Sequence, residues 1–141
     1  MTIDEIMTSA VEFVHPEDPV DKVAQKMVRM NVGSLPVLDE DQNAVGIITD
    51  RDITTRVVAA ELVPGETEVR TVMTHQPLFC KESDDIQAVA KIMQKNQVRR
   101  LLVQNDQGDL TGVVSLGDLA LNTGHSISGE ILEEISKPPG I

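Results

Sequence analysis

Apolar positions along the chain follow two alternating periods. Val20, Val23, Ala24, Met27 and Met30 recur every three or four residues and predict one apolar helix stripe. Asp18 followed by Pro19 reads as an N-cap with proline at the first helical position. The same stripe returns as Ile86, Val89, Ala90 and Met93 behind Ser83 or Asp84. Around each helix lie short runs that read as strands: 12–14, 34–38 and 45–49 in the first half, then 78–80, 100–104 and 111–115 in the second. Polar stretches at 39–43 and 105–109 read as solvated hairpin turns. A further helix is expected from Asp50 to about Leu62, and a shorter one runs from Ser115 to near Thr123-Gly124. Each half therefore has the order β-α-β-β-α.

The two halves are copies of each other. Residues 6–53 align without a gap on residues 72–119, with identities such as Met7/Met73, Phe13/Phe79, Val23/Val89, Leu35/Leu101, Gly46/Gly112 and Asp52/Asp118. Identities confined to apolar, glycine and capping positions are what two copies of one fold leave behind, and two copies make a pseudo-symmetric pair rather than a solenoid. The expected divisions are a first domain at 3–62, a linker at 63–70 marked by Pro64-Gly65, a second domain at 71–123, and a tail at 124–141. Within the tail, Ile127, Ile131, Leu132 and Ile135 suggest a short amphipathic helix that docks on the module itself or on a dimer mate.

Composition narrows the functional classes. The chain has 141 residues, 40% hydrophobic and 25% charged, as a globular protein does. Its longest apolar runs, such as Val57-Val58-Ala59-Ala60, fall far below the roughly 18 residues of a spanning helix. The acidic opening Met1-Thr2-Ile3-Asp4-Glu5 lacks the positive charge of a signal peptide, so a cytoplasmic location is expected. Acidic residues outnumber basic ones 23 to 12, for a net charge of -11, which argues against nucleic acid or an anionic membrane as partner. With no Trp, no Tyr and only Phe13 and Phe79, no base-stacking platform can be assembled. Cys80 is the single cysteine, which excludes an internal disulfide and a thiolate cage and reads as a small core residue.

Two stretches in each half carry a recognisable signature. Asn31-Val32-Gly33-Ser34-Leu35-Pro36-Val37 is followed by Gly46-Ile47-Ile48-Thr49-Asp50-Arg51-Asp52, and Gln97-Val98-Arg99-Arg100-Leu101-Leu102-Val103 by Gly112-Val113-Val114-Ser115-Leu116-Gly117-Asp118. The chain thereby resembles a tandem pair of CBS domains, a Bateman module, over about residues 3–122. The closing pattern of a glycine, a hydrophobic residue, then Thr or Ser, then Asp is intact twice. What the resemblance implies is an α/β (α+β) fold of two pseudo-symmetric β-α-β-β-α CBS repeats packed as one module. It leaves no length in this sequence for an attached enzyme, channel or transporter, so the expectation is a small stand-alone bacterial CBS-pair protein. Thr-x-x-Asp before an apolar run is also a capping signal, and the two roles are compatible because a hydroxyl at a helix start sits among amide donors that suit an anion.

The resemblance further implies an adenosine nucleotide (AMP, ADP or ATP) in clefts between the repeats, with no cofactor required. An Asp carboxylate accepts hydrogen bonds from a ribose diol, hydroxyls and arginines meet phosphate, and strand residues form an apolar slot for adenine. One implied site joins Val113, Ser115 and Asp118 to Ala10, Glu12, Gly33, Ser34 and Pro36. The other joins Ile47, Thr49 and Asp52 to Gln76, Leu78, Arg100 and Leu102. Arg51, Arg99 and Arg100 are the cations expected to meet phosphate. Gly33-Ser34 matches Arg99-Arg100 and Arg51 matches Gly117, so the sites are unequal, and the Asp118 site is expected to bind more tightly.

Catalysis finds little material in the sequence. His15, His75 and His125 are scattered, and no nucleophile elbow, Walker loop or dinucleotide glycine fingerprint is present. Asp50 and Asp52 are too close on one turn for an acid/base pair. The expected function is therefore a non-catalytic adenylate sensor that modulates an unknown regulated protein. The same cleft could instead hold NAD or S-adenosylmethionine, or the module could be a dimerising interaction protein with degenerate sites. Apolar helix positions such as Val57, Val58 and Leu62 beside Ile53 predict a homodimer, because a chain of this size leaves them uncovered.

Overall fold

The structure is a computed structural model that describes residues 1–122 and Gly129. The tail stripe of Ile127, Ile131, Leu132 and Ile135, together with His125, lies outside the described residues. The chain divides into two compact units: a middle unit, Glu12–Pro77, and a terminal unit that combines Met1–Val11 with the chain from Leu78 onward.

In the middle unit, helix α1 (Val20–Met30) buries Val20, Val23 and Met27 and ends on Asn31 in the left-handed region. Strands β1 (Ser34–Leu38) and β2 (Ala44–Thr49) form an antiparallel hairpin. The turn between them is organised by its first residue: Asp39 Oδ1 accepts from the Asp41 and Asn43 amides. Helix α2 (Asp50–Ile53) follows β2 directly, and β3 (Thr74–His75) adds antiparallel to β2's other edge. The core of this unit is Val14, Val20, Val23, Met27, Leu35, Val37, Ile48, Val57, Val69, Val72 and Met73.

The terminal unit repeats the plan. Strand β4 (Phe79–Lys81) pairs in parallel with β5 (Arg100–Gln104), which pairs antiparallel with β6 (Leu110–Ser115). Helix α3 (Ile86–Asn96) buries Ile86, Val89, Ala90 and Met93, and α4 (Leu116–Asn122) buries Leu119. Asn105 Oδ1 accepts from the Gln107 and Asp109 amides, as Asp39 does in the other hairpin. Ile3 joins the core of this unit, so the start of the chain packs with the second repeat's strands and helices.

Three local expectations are corrected. Asp18 does not cap α1: the N-cap is Pro19, and the Asp18 carboxylate accepts from the His15 amide instead. Asp84 does the same for the Lys81 amide, while Asp85 caps α3 through the Gln87 amide. Each carboxylate closes the turn before its helix, where an unpaired amide lies nearer than the helix start. The helix beginning at Asp50 does not run regularly to Leu62, because Thr54–Val58 widens into a π-turn and Glu61 takes a positive φ. Thr54 and Thr55 hydroxyls bond back to the Asp50 and Arg51 carbonyls at that point, a contact that bends helices. Of 12–14, only Val14 pairs, bridging in parallel to Val37.

Candidate functional site

Each unit has one strand-to-helix junction in which a hydroxyl and a carboxylate exchange backbone bonds. Thr49 ends β2 with extended backbone, its hydroxyl accepts from the Asp52 amide at 3.0 Å, and Asp52 Oδ2 accepts from the Thr49 amide at 3.0 Å. Ser115 ends β6 likewise: its hydroxyl accepts from the Asp118 amide at 3.1 Å and Asp118 Oδ2 from the Ser115 amide at 2.8 Å. The capping role of both motifs is thus present, with Asp in place of the longer Glu or Gln. Only one carboxylate oxygen is consumed by the cap, and each carboxylate carries lone pairs on the other.

The second oxygens have different surroundings. Asp52 is buried, at 7% exposure, and its Oδ1 lies 3.9 Å from Arg56 Nε. Arg56 in turn donates from one terminal nitrogen to the Val72 and Met73 carbonyls, each at 3.1 Å. Asp118 is half-buried and its carboxylate enters no ion pair among the described residues.

The middle unit contains Glu12, Gly33, Ser34, Pro36, Ile47, Thr49, Arg51, Asp52 and Gln76; the terminal unit contains Ala10, Leu78, Arg99, Arg100, Leu102, Val113, Ser115 and Asp118. Within the middle unit, Ser34 lies opposite Thr49 and Pro36 opposite Ile47, whose other neighbour is Thr74. The Gly33 carbonyl accepts from the Asp50 amide at 2.9 Å, and a Cβ built on Gly33 would stand 3.0 Å from Asp50 Oδ2, so the missing side chain makes room for that carboxylate. Gln76 follows β3 in the left-handed region. Glu12 is engaged elsewhere, paired with Lys26 Nζ at 3.2 Å.

In the terminal unit Arg100 lies opposite Ser115 and Leu102 opposite Val113, while the Leu102 amide donates to the Leu78 carbonyl. The Arg99 carbonyl accepts from the Leu116 amide at 2.8 Å, the counterpart of the Gly33 contact. Thr8 exchanges both backbone bonds with Val113 at 3.0 Å, which sets Ala10 two residues beyond the strand that leads to Ser115. Arg99 and Arg100 are exposed, and neither forms an ion pair among the described residues.

Sequence reasoning missed Arg56, the seating of Asp50 against Gly33 and the two methionine seats. Met73 covers Gly46 and Met7 covers Gly112, where an added Cβ would stand 2.5 Å from the thioether sulfur in both cases. The signal was in the repeat alignment, since both methionines and both glycines are identical pairs.

Among the described residues no cluster of three or more His, Cys, Asp or Glu side chains gathers to hold a metal ion, and no helix is long and apolar enough to cross a membrane. Cys80 is buried, and burial, reinforced by the nearby Asp84 carboxylate, pushes its thiol up to about 12.

Comparison with known proteins agrees with this architecture. The chain is 36% identical over 137 residues to YlbB of Bacillus subtilis, covering 96% of this chain and 91% of that protein. The structure is similar to the CBS domain protein TA0289 of Thermoplasma acidophilum, with a TM-score of 0.86 and 28% identity across 95% of this chain and 75% of that one. It is also similar to Arabidopsis thaliana CBSX2 in complex with AMP, with a TM-score of 0.71 and 25% identity over 86% of this chain and 94% of that one. The CBS domain family profile matches twice, at residues 3–59 and 69–122, on the two repeats whose junctions are described above. The chain belongs to the CBS-domain family, as a tandem pair.

Proposed function

We propose that this protein is a non-catalytic regulatory module that binds an adenosine nucleotide and changes its grip on a partner protein as adenylate levels change. The observation that carries the reading is the strand-to-helix junction built twice from a hydroxyl and a carboxylate. At Ser115–Asp118 the cap uses Oδ2, and the half-buried carboxylate retains an oxygen that can accept from a ribose diol. Phe79, Leu102 and Val113 are register partners across β4, β5 and β6 and form an apolar row for adenine, backed by the buried Leu102, with Leu78 just ahead of β4, while Arg99 and Arg100 supply cations for phosphate. The structure of CBSX2 with AMP, a protein of similar fold, supports the same ligand class. Regulation follows if the nucleotide binds one conformation better than another.

Val57, expected to be uncovered, is instead buried in the core of the middle unit, but Val28, Val58 and Leu62 are exposed, and we propose that a twofold dimer covers them. The test of function is a calorimetric and thermal-shift comparison of AMP, ADP, ATP, NAD and S-adenosylmethionine. A ligand at a hundred times its dissociation constant adds about 2.7 kcal/mol of apparent stability. A selective shift from an adenine nucleotide that Asp118→Ala removes supports the reading; no shift from any of the five overturns it.

A further inference from the structure

The two junctions differ at one residue that faces a carboxylate. The position that holds Arg56 in the first repeat holds Asn122 in the second. Arg56 Nε lies 3.9 Å from Asp52 Oδ1, and its terminal nitrogen is fixed by the Val72 and Met73 carbonyls. Asn122 makes no use of its partner's carboxylate: its side-chain amide donates to the Asp118 main-chain carbonyl at 2.7 Å. We propose that Arg56 is a specificity-determining residue that closes the Asp52 junction to a ribose and leaves Asp118 as the carboxylate that receives one.

A ribose diol brings two O–H donors and needs acceptors, whereas a guanidinium offers five donors and no acceptor. Beside Asp52 the two therefore compete for the same oxygen. Arg56 cannot swing away from that oxygen without giving up both carbonyl bonds, which tie its turn to the segment leading into β3. Access adds to the difference, because Asp52 is buried and flanked by Arg51, while Asp118 is half-buried and flanked by Gly117. Fold symmetry makes two junctions, and Arg56 adds to the Arg51/Gly117 and Gly33/Arg99 differences that make them unequal.

This inference takes its ligand from the adenosine reading above, and the experiment separates the two. AMP is titrated calorimetrically into the full chain as wild type, Asp118→Asn, Asp52→Asn, Arg56→Asn, Arg56→Lys and the double variant Arg56→Asn/Asp52→Asn. The wild type is expected to show one tight class of site, which Asp118→Asn weakens about ten-fold or more, the scale of a lost hydrogen bond to a charged group. Arg56→Asn is expected to add a second class that the double variant removes. Arg56→Lys, which keeps the cation, retains the single class, a result that a merely structural role for Arg56 would not give. Should Arg56→Asn fail to fold, the order of affinities decides, since Asp118→Asn must weaken AMP more than Asp52→Asn does. Binding by the wild type that is lost mainly in Asp52→Asn, or one unchanged class in a folded Arg56→Asn, overturns the role of Arg56 and leaves the adenosine reading standing. Absence of AMP binding by the wild type overturns both.

Discussion

Gly46→Ala probes how tightly the chain leading into β3 is seated on β2. An added Cβ at Gly46 would stand 2.5 Å from Met73 Sδ, 3.1 Å from its Cε and 2.8 Å from the Thr74 carbonyl oxygen. The thioether belongs to a buried side chain, and the carbonyl belongs to the backbone that pairs Thr74 with Ile47. Neither can retreat freely, so overpacking of this kind costs about 1–3 kcal/mol, here at the upper end. The lost freedom of the unfolded chain returns about 0.4–1 kcal/mol, because Gly46 does not need a positive φ. A net loss of about 2 kcal/mol is expected, read from urea unfolding by circular dichroism. Gly112→Ala is the internal comparison: the Met7 sulfur is equally near, but Met7 is only half-buried and the Thr8 carbonyl oxygen is 3.0 Å away, so about 1 kcal/mol is expected. Trimming the methionine separates the two contacts. In a Met73→Ala background, Gly46→Ala should cost about 1 kcal/mol less than in the wild type, a coupling of the size that touching residues show. A neutral Gly46→Ala, or strict additivity with Met73→Ala, would refute the seat.

Other outcomes follow from the same contacts. Thr49→Ala and Ser115→Ala each remove one cap acceptor and should lower stability by about 1 kcal/mol in the same unfolding assay. Cys80 should resist a thiol reagent in the native protein at pH 8 and react at once in denaturant, because its thiol is pushed up to about 12. Since the folded thiol holds its proton more tightly than the unfolded one, whose value is about 8.5, its contribution to stability is complete below about pH 8.5. That contribution is lost as pH rises from there through about 12, so a Cys80→Ala variant should show a shallower alkaline decline in unfolding midpoint. Val58→Glu and Leu62→Glu place charges on the exposed apolar face and should convert the proposed dimer to monomer in light scattering. A wild type that is itself monomeric would sink that reading.

The tandem repeat, its helical stripes and its two capping motifs were legible in the sequence because each is a local signal. A period of three to four residues, a hydroxyl three residues before a carboxylate, and a pair of glycines at matching places all lie within one element or one alignment. Even the inequality of the junctions was visible at Gly33/Arg99 and Arg51/Gly117. The residue that faces Asp52, by contrast, was passed over, because Arg56 shows no pattern until its distance to Asp52 and to two carbonyls is known.

Tertiary structure alone decided which segments complete which sheet. Thr8 joins Val113 in the terminal unit and Thr74 joins Ile47 in the middle one, and each methionine then covers the glycine of that strand. These pairings use backbone amides and carbonyls that every residue carries, so side-chain pattern does not encode the partner. Asp18 and Asp84 make the same point on a smaller scale: a capping residue by type serves the nearest unpaired amide, and geometry rather than spacing says which amide that is.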